Sequence, residues 1–127
     1  NELTRWRAET YFTKEPETIA WMNRIQPGEV LYDIGANIGL YSLYAAKRGI
    51  KVYAFEPESQ NYALLNRNLY LNSIQNMVTA LNLAFSDHEG IDYLYLPRFM
   101  PGAALNNLGE AKDANHADFS AAFKQGV

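Results

Sequence analysis

The residues best suited to chemistry are Asp33-Ile34-Gly35-Ala36-Asn37-Ile38-Gly39 and, 23 positions after Asp33, Glu56. Glycines in a tight loop let the backbone come close to a ligand, because no Cβ stands in the way. A carboxylate about twenty residues further on can accept hydrogen bonds from both hydroxyls of a ribose. Together the loop and the acid form a constellation that fits a ribose-bearing ligand.

Which ribose ligand follows from what is missing. A dinucleotide loop reads G-x-G-x-x-G, so that glycine backbone and a helix N-terminus meet the pyrophosphate. Here Asp33 takes the first glycine position and Ile38 the third. A carboxylate beside a diphosphate repels it, whereas it suits an ammonium or sulfonium group. S-adenosylmethionine carries both and is the expected cofactor. A P-loop is excluded, since no Gly-Lys-Ser or Gly-Lys-Thr follows the glycines.

The elements around these residues are legible in part. Val30 to Ile34 is a short run of strand formers that leads directly into the loop. A helix is predicted from about Gly39 to Arg48, stopped by Gly49 in the left-handed conformation. Val52 to Phe55 reads as the next strand, and Pro57 opens a helix carrying Tyr62, Leu65 and Leu69 on one stripe and ending near Asn72. Asn68 and Asn72 are both expected to serve that helix end. Strands are predicted over about 78–85 and 91–96. Upstream, the opening stretch to about Gln26 reads as helix, with a helix over about 15–26. This alternation predicts an α/β fold with a mostly parallel sheet, right-handed crossovers and helices on both faces.

After Pro97 the pattern dissolves. Residues 97–127 read as an irregular tail, with at most a short helix over 118–127. Phe99-Met100-Pro101-Gly102 is either a lid near the substrate or an ordinary loop. His88, in a turn between polar neighbours, reads as a solvated histidine, and His116 would act as a base only if the tail folded over the cofactor. Tyr41, Tyr44, Tyr62 and Tyr70 read as packing residues. No residue is assigned as the catalytic base, and no metal ligands are assigned.

Tyr32 to Gly39, then Tyr53-Ala54-Phe55-Glu56-Pro57, then Asn68 with Leu71-Asn72, then Leu83-Ala84-Phe85-Ser86-Asp87, resemble the FkbM methyltransferase family over about residues 27–90. The resemblance implies a Rossmann-like class I methyltransferase fold that uses S-adenosylmethionine, usually to methylate a hydroxyl of a natural product or saccharide. It implies cofactor binding by Asp33, Gly35, Ala36, Asn37, Gly39 and Glu56, with Pro57, Ser86 and Asp87 bordering the adenine. It also points to Glu17 and Thr18 at the cofactor's amino-acid end. The family continues to a fourth parallel strand of the type I-K-I-D-V-[ED]-G, which this sequence does not contain. The expectation is therefore a single domain over 1–127 that is truncated at its C-terminus. The edge of its first strand would be unpaired and apolar, open to homo-oligomer formation.

Composition bounds the partners. The 127 residues are 48% hydrophobic and 20% charged, with a net charge of −3 and no cysteine. That balance suits a globular domain and excludes disulfides, thiolate metal sites and cysteine nucleophiles. No basic stripe is visible, so nucleic acid is not expected as a partner. No run of about 20 apolar residues suggests a membrane span, and a cytoplasmic location is expected. The function predicted is a methyltransferase acting on a small molecule or saccharide. The alternative is a non-catalytic module that binds S-adenosylmethionine.

Overall fold

The computed structural model describes residues 1–127. Three short helices open the chain: α1 (Glu2–Glu9), α2 (Tyr11–Lys14) and α3 (Pro16–Met22). The single helix expected over 15–26 is shorter, and the stretch before it is interrupted. Glu15, which precedes Pro16, adopts φ −137° and ψ 67°. Steric clash with the proline ring drives the preceding residue out of helical space, so α2 ends there.

A βαβαβ unit follows: β1 (Val30–Ile34), α4 (Leu40–Lys47), β2 (Lys51–Phe55), α5 (Ser59–Leu71) and β3 (Val78–Leu81). All three strands are parallel, in the order β1-β2-β3. Val52 and Ala54 of the central strand are fully buried and pack with Leu31 and Val78 against Ala45, Ala46, Leu65 and Leu69 of the helices. The two alanines of α4 let that helix approach the sheet closely. Gly49 does stop α4, with φ +82° and its N–H donating to Ala46 O. Asn72 is the C-cap of α5.

Both crossover helices lie on the same face. Two successive right-handed crossovers running in one direction across a sheet can only place them so, and a second helical layer has no counterpart in this chain. On the other face Tyr32 stacks on Tyr53 and Phe55 at centroid distances of 5.5 and 6.1 Å. Tyr32 and Ile34 each remain 61% exposed, which marks β1 as an uncovered, apolar edge.

The tail departs from expectation. β4 (Tyr93–Leu96), β5 (Asn107–Leu108) and β6 (Phe123–Gly126) form a second, antiparallel sheet in the order β5-β4-β6. The short helix expected over 118–127 is β6, paired Tyr93↔Gly126 to Leu96↔Phe123. Leu94 and Leu96 are the buried residues of this sheet. The third parallel strand stops at Leu81 rather than 85, because the Asn82 side chain turns back to donate to the carbonyls of Glu56 and Pro57 at 2.8 and 2.9 Å.

Gly39 shows how tightly the unit is packed around the loop. Its φ is +84°, and a Cβ there would run into the Leu65 side chain. Gly28 also has a positive φ, +96°, but faces open space. Gly39→Ala is expected to lower unfolding free energy by about 3 kcal/mol, combining backbone strain and overpacking. Gly28→Ala should cost about 1 kcal/mol from strain alone. Urea melts of the two variants check the difference, and equal losses would contradict this packing.

Candidate functional site

The loop after β1 owes its shape to three residues in the left-handed region: Gly35 at φ +77°, Asn37 at +52° and Gly39 at +84°. Glycine adopts this conformation without penalty, and asparagine is among the few other residues that tolerate it. The G-x-N-x-G spacing thus encodes the turn. Gly35 and Ala36 both donate their N–H to Phe55 O at 2.9 Å, which ties the loop to the end of β2. From below, Asn68 of α5 donates to Ile38 O at 2.8 Å. Asn68 therefore supports the loop rather than the helix end.

Glu56 completes the turn. One carboxylate oxygen accepts the N–H of Asn37 at 2.7 Å and the other that of Glu58 at 2.9 Å. Its residue surface is only 4% exposed, and burial pushes the carboxyl above its usual range while the two amide donors pull it back. Each carboxylate oxygen has more than one lone pair, so acceptor capacity remains for a ligand. Glu58, also buried, caps α5 by accepting from Gln60 N and Asn61 N. Asp33, at the end of β1, is likewise raised by burial and partly relieved by the hydroxyl of Ser42, which donates at 2.6 Å.

Two clefts flank this loop and share Gly35 and Asn37. A Cβ built on Gly35 would meet nothing within 4 Å, so the missing side chain leaves the loop backbone open to both. The first cleft, about 90 Å³, is closed on its far side by Arg7, Tyr11, Lys14, Glu15 and Tyr41. Tyr41 donates to Glu15 at 2.8 Å, which holds the Glu15 carboxyl below its usual range. Burial, then the Glu15 contact, pushes the Tyr41 phenol up to about 12. Tyr11 OH is buried with no partner, and its phenol is raised mainly by burial. Lys14 pairs with Glu15 at 3.1 Å, so Arg7 and this ion pair present both signs of charge beside the loop, as a zwitterionic amino-acid group requires. Neither Glu17 nor Thr18 lines this cleft; Lys14 and Glu15 of the same region do.

The second cleft, about 210 Å³, lies between Glu56 and Pro57 on one side and Ala103 to Asn106 on the other. Asn37 Oδ1 and Asn106 Oδ1 are buried there without donors. A nucleoside, with its hydroxyl and amino donors and its flat base, fits such an acceptor-rich, partly apolar space. Gly39 packs on Leu65 and the Asp33 carboxylate accepts from Ser42, neither lining these two clefts, while Gly35, Ala36, Asn37, Glu56 and Pro57 are brought together there. Ser86 and Asp87 are not: they sit in an exposed turn, bonded to each other and to His88. The Asn82 amide braces the backbone carbonyls of Glu56 and Pro57.

Residues 8–93, about two thirds of the chain, match the family model described as TRM5/TYW2 methyltransferase domain. The chain belongs to this family. Among relatives of the domain, the 31-O-demethyl-FK506 methyltransferase FkbM of Streptomyces tacrolimicus is 35% identical over 83 residues, 64% of this chain and 30% of that protein. A tRNA (guanine(37)-N(1))-methyltransferase of Phytophthora infestans (strain T30-4) is 33% identical over 89 residues, 68% of this chain and 20% of that protein. The structure of P. horikoshii TYW2 in complex with MeSAdo is similar at TM-score 0.51 and 29% identity, over 59% of this chain and 29% of that one. The chain spans less than a third of the length of each of these relatives. TRM5/TYW2 domains and tRNA methyltransferases in this group leave the expected exclusion of nucleic acid without support. No helix of the chain is long and apolar enough to cross a membrane.

The burial of Asp33 has a consequence for pH. Its folded carboxyl is raised, so the charged form is disfavoured and this contribution to stability is present at low pH and lost as pH rises through the raised value. Asp33→Asn removes that loss. The stability of Asp33→Asn relative to the native chain is therefore expected to improve as pH rises from about 4 toward 7. Denaturant melts at several pH values check this, and a trend of opposite sign would contradict the desolvated state of Asp33.

Proposed function

We propose that this chain is the cofactor-binding part of an S-adenosylmethionine-dependent methyltransferase that methylates a hydroxyl of a small molecule or saccharide. The observation that carries the reading is the Glu56–Asn37 hydrogen bond, which sets a ribose-binding acid against an open glycine loop with a cleft on either side. In this reading Glu56 accepts the ribose hydroxyls, and Gly35 and Ala36 form the floor beneath the ligand. Arg7 and Lys14 face its carboxylate, and Glu15 with the Tyr11 hydroxyl faces its ammonium group. The cofactor supplies a methyl group on a sulfonium. What these residues contribute is alignment, which can lower the barrier of an in-line displacement by several kcal/mol, on the order of 7 or more for a well-oriented pair. The P. horikoshii relative, solved with the S-adenosylmethionine analogue MeSAdo, supports the cofactor, and the FkbM relative supports a hydroxyl acceptor.

A second acceptor, tRNA, is favoured by the TRM5/TYW2 match and by the tRNA methyltransferase relatives. Methyl transfer by the full-length protein to a panel of hydroxylated small molecules and saccharides, run beside unmodified tRNA, separates the two. Transfer to tRNA alone would overturn the hydroxyl acceptor.

The cofactor reading is tested by calorimetric titration of the chain with S-adenosylhomocysteine and, separately, with a nicotinamide dinucleotide. Saturable binding of the first and none of the second are expected. Glu56→Ala, checked for folding by circular dichroism, should weaken binding by about tenfold or more, the loss typical of hydrogen bonds to a charged group. Binding of the dinucleotide, or affinity unchanged in Glu56→Ala, would contradict the reading.

A further inference from the structure

The Glu56 carboxylate belongs to a closed ring of hydrogen bonds, and one member of that ring comes from the tail. Glu56 accepts the N–H of Asn37 at 2.7 Å, and the Asn37 side-chain amide donates to Ala103 O, also at 2.7 Å. Ala103 O accepts a second time, from the side-chain amide of Asn61 at 3.1 Å. The N–H of Asn61 donates to the Glu58 carboxylate at 2.8 Å, and the N–H of Glu58 returns to Glu56 at 2.9 Å. Glu56, Glu58, Asn61 and Ala103 are all buried, so water offers these groups no substitute partners. Asn61 Oδ1 also accepts from Gly102 N at 2.7 Å. One side-chain amide thus pairs with two backbone groups of the tail, the N–H of Gly102 and the carbonyl of Ala103, as a neighbouring strand would. From the other side Arg7 donates to Gly102 O at 2.6 Å and Asn1 to Pro101 O at 2.9 Å, so segment 101–103 is clasped between α1 and α5.

The chemistry of this position is narrow. Aspartate keeps the acceptor and loses the donor, leucine keeps the volume and loses both, and glutamine is one methylene longer. Without the Asn61 amide, Gly102 N–H loses its partner and segment 101–103 loses its hold on α5. The Asn37 side chain is anchored on that segment, and the Asn37 N–H is the one that Glu56 accepts. Burial raises the Glu56 carboxyl, and the amides of Glu58, Asn37 and Asn61 pull it back, so Asn61 bears on the acid through charge as well as through geometry. Bonds joined in a buried network of this kind polarise and fix one another. We infer that Asn61 is a positioning residue for ligand binding: it fixes Gly102-Ala103 against α5 and, through the shared Ala103 carbonyl, holds Asn37 in register with Glu56. Asn61 acts through these two residues and touches no ligand itself. The inference rests on the S-adenosylmethionine reading above and adds to it the residue by which the tail sets the geometry of the loop.

The test compares the native chain with Asn61→Leu, close to it in volume, and Asn61→Ser, which leaves room for water, with circular dichroism melts to establish that a folded variant is in hand. The first readout needs no ligand. The amide proton of Asn37, deshielded by its bond to Glu56, should move upfield in both variants as that bond loosens. The second is calorimetric titration of S-adenosylhomocysteine into the native chain, each Asn61 variant, Glu56→Ala and the double variants. With Glu56 present, loss of Asn61 should weaken binding by about fivefold or more, the scale of one disturbed buried hydrogen bond. In the Glu56→Ala background the same change should matter by less than about twofold, because residues that act through one network are not additive. A purely structural role would lower the melting temperature yet leave the Asn37 amide and the affinity of the folded variant at their native values. That result overturns the inference, and so does an affinity loss of equal size in both backgrounds. A native chain that binds no S-adenosylhomocysteine overturns the cofactor reading; the Asn37 amide then decides the role of Asn61 by itself, and an unmoved resonance in a folded variant overturns that role too.

Discussion

The arrangement of the site depends on one buried carboxylate. Glu56 receives the amide of Asn37 on one oxygen and the amide of Glu58 on the other, so a single side chain joins the loop after β1, the end of β2 and the approach to α5. A carboxylate removed from water is unfavourable unless hydrogen-bonded, and charge-assisted bonds from backbone amides are among the stronger ones available. The requirement works in both directions. The acid can be buried only if the loop turns the Asn37 N–H inward, and Asn37 can hold its left-handed conformation because the acid satisfies that N–H. The pocket is therefore formed in advance of any ligand, and ordering it costs little at the moment of binding.

The second consequence is asymmetry. Every helix that crosses between parallel strands lies on one face, where Ala45, Ala46, Leu65 and Leu69 close over Val52 and Ala54. The other face is a ladder of aromatic rings with an open edge at β1. The antiparallel sheet does not cover that face; it reaches the ligand end instead. Gln125 of β6 accepts from Ser59 N at 3.0 Å and donates to Pro57 O at 2.7 Å, which pins this sheet to the start of α5. Residues 93–127 thereby contribute a wall to the site rather than a layer to the core.

What the sequence made legible are the parts fixed by local rules. The positive φ values at 35, 37 and 39 demand glycine or asparagine, so the loop announces itself, and a strand followed by a capped helix is a short-range pattern. Glu56 is found by its distance from Asp33 because one crossover has a nearly constant length. The tail was not legible, because β6 exists only through pairing with β4 some thirty residues away, and the short run Phe123–Gly126 has no period of its own. Ser86 and Asp87 lie away from the loop for a related reason: the Asn82 side chain turns back to the carbonyls of Glu56 and Pro57, the third strand ends at Leu81 and the turn stays in solvent. Asn61, Asn68 and Asn106 act through long-range bonds or burial, and nothing in their local sequence separates them from the other asparagines. Arg7, Tyr11, Lys14 and Glu15 converge on the loop because the opening helical stretch breaks twice, at Thr10 and before Pro16.

The central claim is that ligand binding is organised by the Glu56 carboxylate and the amides it holds. The most direct measurement follows the backbone amide resonances of Asn37 and Glu58 in the isotope-labelled chain during titration with S-adenosylhomocysteine. Both are predicted to shift saturably, with one shared dissociation constant, because hydroxyls that join the same carboxylate alter the two bonds it already accepts. Saturable binding that leaves these two amides unmoved, with shifts confined to the open face of the parallel sheet, would contradict the account.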